Sequence, residues 1–73
     1  MDNLALRKTI AQTIDLLADR YPNVRIGQII GDALSASGRS MFDASYTSDV
    51  DLARGLNQLF ITYTQFEAAG IKP

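Results

Sequence analysis

The chain has 73 residues, with seven basic and eight acidic side chains, no cysteine and no histidine. This length supports one domain with a small core, because a chain near this size buries only roughly 60% of its unfolded surface. The missing side chains exclude disulfides, thiolate or imidazole zinc sites and chemistry built on a His base or Cys nucleophile, and a formal charge of −1 gives no whole-molecule attraction to a polyanion.

From Asp2 or Asn3, either a good N-cap, the chain reads L-A-L-R-K-T-I-A-Q-T-I-D-L-L-A-D-R-Y up to Pro22. Leu6, Ile10, Ile14, Leu17 and Tyr21 recur at 3-and-4 spacing and form one apolar stripe. The residue before a proline is pushed out of helical dihedrals, so the first helix should end at Arg20 or Tyr21. Asn23 offers a cap for a second helix from about Val24 to Ala36, which places Ile26, Ile29, Ile30, Ala33 and Leu34 near one face. The β-branched run V-R-I-G-Q-I-I-G also suits a short strand, but its periodicity fits a helix better and nothing nearby supplies a partner strand. Gly38 is the expected stop. The connection that follows, S-A-S-G-R-S-M-F-D-A-S-Y, is rich in small polar residues, and Met41, Phe42 and Tyr46 within it are expected to turn into the core.

Ser48 opens the third helix, with Asp49 and Asp51 favouring the positive end of its dipole. Leu52, Leu56, Leu59, Phe60, Tyr63 and Phe66 make its stripe. Gly70 suits a left-handed position just past the helix, with Ile71 following and Phe66 as the residue it commonly touches. The expected fold is therefore all-α, one compact three-helix domain over residues 1–73 with helices at about 3–20, 24–36 and 48–69.

Glycine inside a helix costs about 1 kcal/mol relative to alanine, so Gly27, Gly31 and Gly55 call for a compensation. Close helix approach supplies one, since a residue without Cβ admits a neighbouring backbone. The prediction is that Gly55, at the edge of the third stripe, is such a contact.

The acids Asp43, Asp49 and Asp51 lie together with no base between residues 40 and 53. Their spacing superficially suits a calcium loop, but Ser48 stands where glycine makes the turn and Arg54 where a bidentate glutamate belongs. Capping chemistry accounts for them. No general base is paired with a serine, threonine or tyrosine, and no glycine-rich phosphate loop is present, so neither catalysis nor a cofactor, metal or small-molecule substrate is expected. A nucleic-acid surface would rest on Arg20, Arg25 and Arg39. Three arginines on a folded surface more often pair with carboxylates, and a third helix opening on two aspartates would repel phosphate.

The apolar residues that miss the stripes carry the functional expectation. Leu4 and Leu16 fall about 100° or more from the first helix's apolar face, and Val50 and Ile61 lie nearly opposite that of the third. Four such residues in a domain with 47% hydrophobic composition imply a second buried surface, in a homo-oligomer or against a larger protein. With no basic, apolar leader and no long apolar run, the expectation is a cytoplasmic protein without a membrane partner.

The blocks Y-P-N-V-R-I-G-Q-I-I-G-D-A-L and Y-T-S-D-V-D-L-A-R-G-L resemble a group of very small bacterial and phage-type helical proteins. The group shares an R-hydrophobic-G-Q-hydrophobic-hydrophobic core and an acidic Y-x-x-D-x-x-L helix start. The likeness covers roughly residues 21–60, and Gly31-Asp32 stands where that pattern has a bulkier residue followed by Asn. It implies one three-helix fold and a phage or mobile-element setting, where small acidic helical proteins bind and block host machinery. It assigns no functional residue.

Overall fold

A computed structural model describes residues 3–73, the side chain of Met41 excepted. Three α-helices, α1 (Asn3–Arg20), α2 (Ile26–Ala36) and α3 (Asp49–Ala68), are joined by a tight turn and by a connection containing a short 3₁₀ helix, Met41–Tyr46. The all-α three-helix domain is what the periodicities predict. At 20 residues α3 is about 30 Å long, and it is the spine: α1 and α2 both pack against it.

The core follows the stripes. Ile10, Leu17 and Tyr21 from α1 and the turn after it meet Ile29 and Ala33 from α2 and Leu56, Leu59 and Tyr63 from α3. Leu6, Ile14, Leu52 and Phe60 are packed against this cluster and only partly covered. Four members of the expected faces stand outside it: Ile26 and Phe66 are exposed, Ile30 is half-buried and Leu34 is buried but apart from the cluster. Ile26 occupies the first turn of α2 and Phe66 the last turn of α3, where the neighbouring helices no longer cover the side of the cylinder.

The first helix starts with Asn3 already helical, so Asn3 is not its cap, and Asp2 lies outside the described residues. α2 begins two residues later than its periodicity suggests. Arg25, not Asn23, occupies the N-cap position, in extended conformation and with no side-chain cap hydrogen bond. A turn closed by the Val24 N–H donating to the Tyr21 carbonyl at 3.0 Å presses Val24 into the core. Val24 just before the cap and Ile29 in the first turn are both buried in the same cluster, which is the pairing of a hydrophobic staple. The start of α2 is thus set by apolar burial and not by a polar cap.

Both helix ends that rest on glycine form as their sequences predict. Gly38 has φ 82° and Gly70 φ 79°. Past α2 the Arg39 N–H donates to the Leu34 carbonyl at 2.8 Å and the Gly38 N–H to that of Ser35 at 3.0 Å; past α3 the Ile71 N–H donates to Phe66 at 2.8 Å and the Gly70 N–H to Glu67 at 3.0 Å. Each pair is a Schellman closure, available because glycine tolerates positive φ. Ser48 accepts the Asp51 N–H at 3.1 Å and caps α3.

Of the interior glycines, Gly55 is buried, and its Cα side faces the main chain of Ala33. A Cβ built there would lie 2.9 Å from the Ala33 carbonyl carbon, with the Ala33 carbonyl oxygen closer still. The two helices therefore approach backbone to backbone. A Cβ at Gly27 would meet nothing within 4 Å, so Gly27 is no contact site.

Candidate interaction surface

The connection between α2 and α3 departs most from its sequence reading. Phe42 is 94% exposed and Tyr46 83% exposed; neither turns into the core. The side chain of Met41, expected there as well, lies outside what is described. Local polar chemistry explains the departure. Ser40 and Asp43 form a capping box: Asp43 Oδ2 accepts from the Ser40 N–H at 3.2 Å and from its hydroxyl at 3.1 Å, and the Ser40 side chain in turn faces the Asp43 N–H. Thr47 donates its hydroxyl to the Asp43 carbonyl at 2.9 Å. Arg39, ahead of the 3₁₀ helix, reaches Asp51 beyond it at 3.7 Å. These ties fix the backbone of a two-turn helix, and that backbone presents both aromatic rings to solvent.

Leu4, Leu16, Val50 and Ile61 are 57%, 52%, 47% and 42% exposed. They do not form one patch. Leu4 and Leu16 are separated by about 18 Å along α1 and by about 120° around it, whereas Val50 and Ile61 lie about 16 Å apart on nearly one line of α3. Val50 is in the first turn of α3, four residues after Tyr46. It is the member of the four that adjoins the aromatic pair in sequence. The exposure of Val50 was legible from its place off the stripe; that of Phe42 and Tyr46 was not, because an irregular segment has no period to break. The signal present was the Ser40-x-x-Asp43 spacing, which marks a helical turn.

The three arginines are also dispersed. Arg20 donates from Nη2 to Glu67 Oε1 at 3.0 Å, and this hydrogen bond, with the attraction between the charges, raises the guanidinium pKa and holds the Glu67 carboxyl below its usual value. Arg20 also packs over the rings of Tyr21 and Phe60, 5.8 and 5.9 Å from their centroids. Arg39 is the partner of Asp51. Arg25 remains exposed at the start of α2, and α2 itself, about 16 Å long, separates it from Arg39.

A groove of about 340 Å³ runs beside the Arg20–Glu67 pair, lined among others by Tyr21, Val24, Ile71 and Lys72. The Tyr21 hydroxyl at its wall is buried without a hydrogen-bond partner among the described residues. The Tyr21 ring meets that of Tyr63 edge to face, centroids 5.2 Å apart at 82°. Among the described residues, no group of His, Cys, Asp and Glu side chains could hold a metal ion, and no helix is long and apolar enough to cross a membrane.

Tyr63 donates its hydroxyl to Asp32 Oδ2 at 2.7 Å, linking α3 to α2. Burial of the phenol and the carboxylate beside it push its pKa well above the ordinary 10.0. The folded state therefore holds this proton more tightly than the unfolded chain. The stabilisation is complete below pH 10 and is lost as pH rises from there toward the raised value. Urea denaturation between about pH 9 and 11 should show stability falling in the wild type and a shallower fall in Tyr63→Phe, with a cost for the variant of about 1 kcal/mol at neutral pH. Equal pH slopes for the two proteins would remove Tyr63 as the cause.

No family model, curated protein or solved structure matches this chain.

Proposed function

We propose that this chain is a small non-enzymatic interaction module that works by self-association or by docking on a larger protein. The observation that carries the reading is the pair Phe42 and Tyr46, 94% and 83% exposed on a segment held by the capping box, the Thr47 hydrogen bond and the Arg39–Asp51 pair. Aromatic side chains are the commonest anchors of protein interfaces, and each buries about 150–250 Å² when covered. A ring displayed on a fixed backbone loses less freedom on binding than one on a mobile loop. Val50, Leu16 and Ile61 add further uncovered apolar surface. An accessory or inhibitory role of the kind the resemblance implies falls within the same reading. The nucleic-acid alternative is weakened by the ion pairs of Arg20 and Arg39, which leave Arg25 as the one guanidinium of the three with no ion pair among the described residues.

Phe42→Ser is expected to melt within about 0.5 kcal/mol of the wild type, because the ring contacts so little. The same change should abolish association. Sedimentation equilibrium at micromolar concentration reads self-association, and affinity capture from host lysate, wild type against Phe42→Ser, reads docking. A dimer or a captured protein that the variant loses supports the reading. A strict monomer whose capture profile is unchanged by the substitution removes it.

A further inference from the structure

We infer that the groove beside the Arg20–Glu67 pair binds a small carboxylic acid with an apolar body, its carboxylate held by the Tyr21 hydroxyl and the Arg20 guanidinium. The groove is walled by the end of α1, the turn after it and the segment after α3, and it holds neither Phe42 nor Tyr46. It is therefore a second site, beyond the interaction module. Walls drawn from stretches so distant in sequence leave no periodic signal, and the sequence alone leads to no small-molecule ligand. A volume of about 340 Å³ is at the small end of ligand sites. It suits a ring or a short branched chain.

Tyr21 supplies the reason to expect an occupant. Only 6% of the residue is exposed, its ring is pinned edge to face on Tyr63, and its buried hydroxyl has no hydrogen-bond partner among the described residues. Arg20 lies over the same ring, 5.8 Å from its centroid. The hydroxyl is near enough to the ion pair to reinforce, after the pair's own hydrogen bond, the raised pKa of Arg20 and the lowered pKa of Glu67, yet it completes a hydrogen bond with neither. An unmade hydrogen bond on a buried hydroxyl costs more than an exposed ion pair returns. Both side chains of the pair are exposed, at 44% and 49%, so Glu67 can leave Arg20 at little cost. A ligand oxygen taking its place satisfies the hydroxyl and keeps the guanidinium paired.

What selects the ligand is a surplus of donors, not net charge. Arg20 donates to Glu67 from Nη2 and has further N–H groups to offer, the phenol O–H is unused, and Lys72 on the groove wall is exposed with no ion pair among the described residues. A carboxylate only accepts, through two oxygens whose spacing matches the guanidinium fork. Val24 and Ile71 beside these groups give the body of the acid apolar contact. A strongly hydrated inorganic anion gains nothing from them.

Two-dimensional amide NMR of the full chain, titrated with phenylacetate, isovalerate and cyclohexanecarboxylate, tests the site. At least one acid should shift the amides of Tyr21, Val24 and Ile71 saturably, with a Kd of about 1 mM, the range for a fragment of this size. Its primary amide should bind about 10-fold more weakly, and Tyr21→Phe and Arg20→Gln should each weaken the acid about 10-fold. Without ligand, Tyr21→Phe should melt at or above the wild-type temperature, because the hydroxyl it loses had no partner. No saturable shift there with any of the three acids, equal binding of acid and amide, undiminished binding by Tyr21→Phe, or a Tyr21→Phe protein that melts below the wild type would each overturn the inference. So would inorganic phosphate saturating the same amides as tightly as the acid, which would reduce the site to a general attraction for anions. None of these results depends on Phe42, so the module reading stands or falls separately.

Discussion

Gly55→Ala is expected to destabilise the domain by about 3 kcal/mol, at the upper end of the cost of overpacking, and so to lower its melting temperature by more than about 12 °C. The methyl group would enter space held by the Ala33 main chain, with the carbonyl carbon at 2.9 Å and the oxygen nearer. No rotamer change can clear main-chain atoms. To admit the methyl, α2 must move off α3, and Ile29, Ala33 and Leu34, all buried along α2, would lose cover together. Ala33→Gly should give no rescue, because it removes a side chain that is not the obstacle. Gly27→Ala is the control of opposite sign, expected to stabilise by about 0.4–1 kcal/mol, since its added methyl meets open space. Thermal melts of the two variants check both; a Gly55→Ala protein melting at or above the wild-type temperature would contradict the close crossing.

The second large effect is expected from Leu56→Ala. Leu56 is among the largest side chains with no exposure, with Leu17, Ile29 and Leu34. It sits on α3, which packs against both other helices. Truncating a fully buried leucine costs about 2–5 kcal/mol, the spread reflecting how far the site can collapse. α2, already held against α3 at the Gly55–Ala33 crossing, has little room to close the gap, so the upper half of that range is expected. A domain of this length has a total stability of about 4–11 kcal/mol, so the substitution is expected to remove from about a third to all of it. Urea denaturation should show the midpoint falling with the slope unchanged. A loss under about 1 kcal/mol would mean that Leu56 is not a core residue.

Periodicity made most of this fold legible. The α1 stripe through Ile10, Leu17 and Tyr21 could be read because the same residues that repeat at 3.6 also need cover. Ser48, Gly38 and Gly70 could be read because each has a local mechanism that needs no tertiary information. Fold and sequence signal diverge where a local preference competes with packing. Asn23 is a better cap than Arg25 in isolation, yet burying Val24 against Ile29 moves the helix start past it. Phe66 belongs to the α3 stripe by angle, but the stripe runs beyond its neighbours. Phe42 and Tyr46 show the opposite limit. That apolar side chains go inside is a rule about averages, and a capped 3₁₀ helix decides where the rings point before the core can claim them. Of the candidate surface, Val50, Leu16 and Ile61 are visible in the sequence because they break a period, and the two rings are not.

The chain contains no tryptophan and three tyrosines, and the fold separates them into two kinds of chromophore. Tyr21 and Tyr63 are locked edge to face in the core, a fixed asymmetric setting that generates near-ultraviolet circular dichroism and disappears on unfolding. Tyr46 stands in solvent, where its emission is open to collisional quenchers and a covering partner would shield it. One unlabelled sample can therefore report folding through its dichroism and occupancy of the surface through quenching, with Tyr46→Phe removing the second signal and sparing the first.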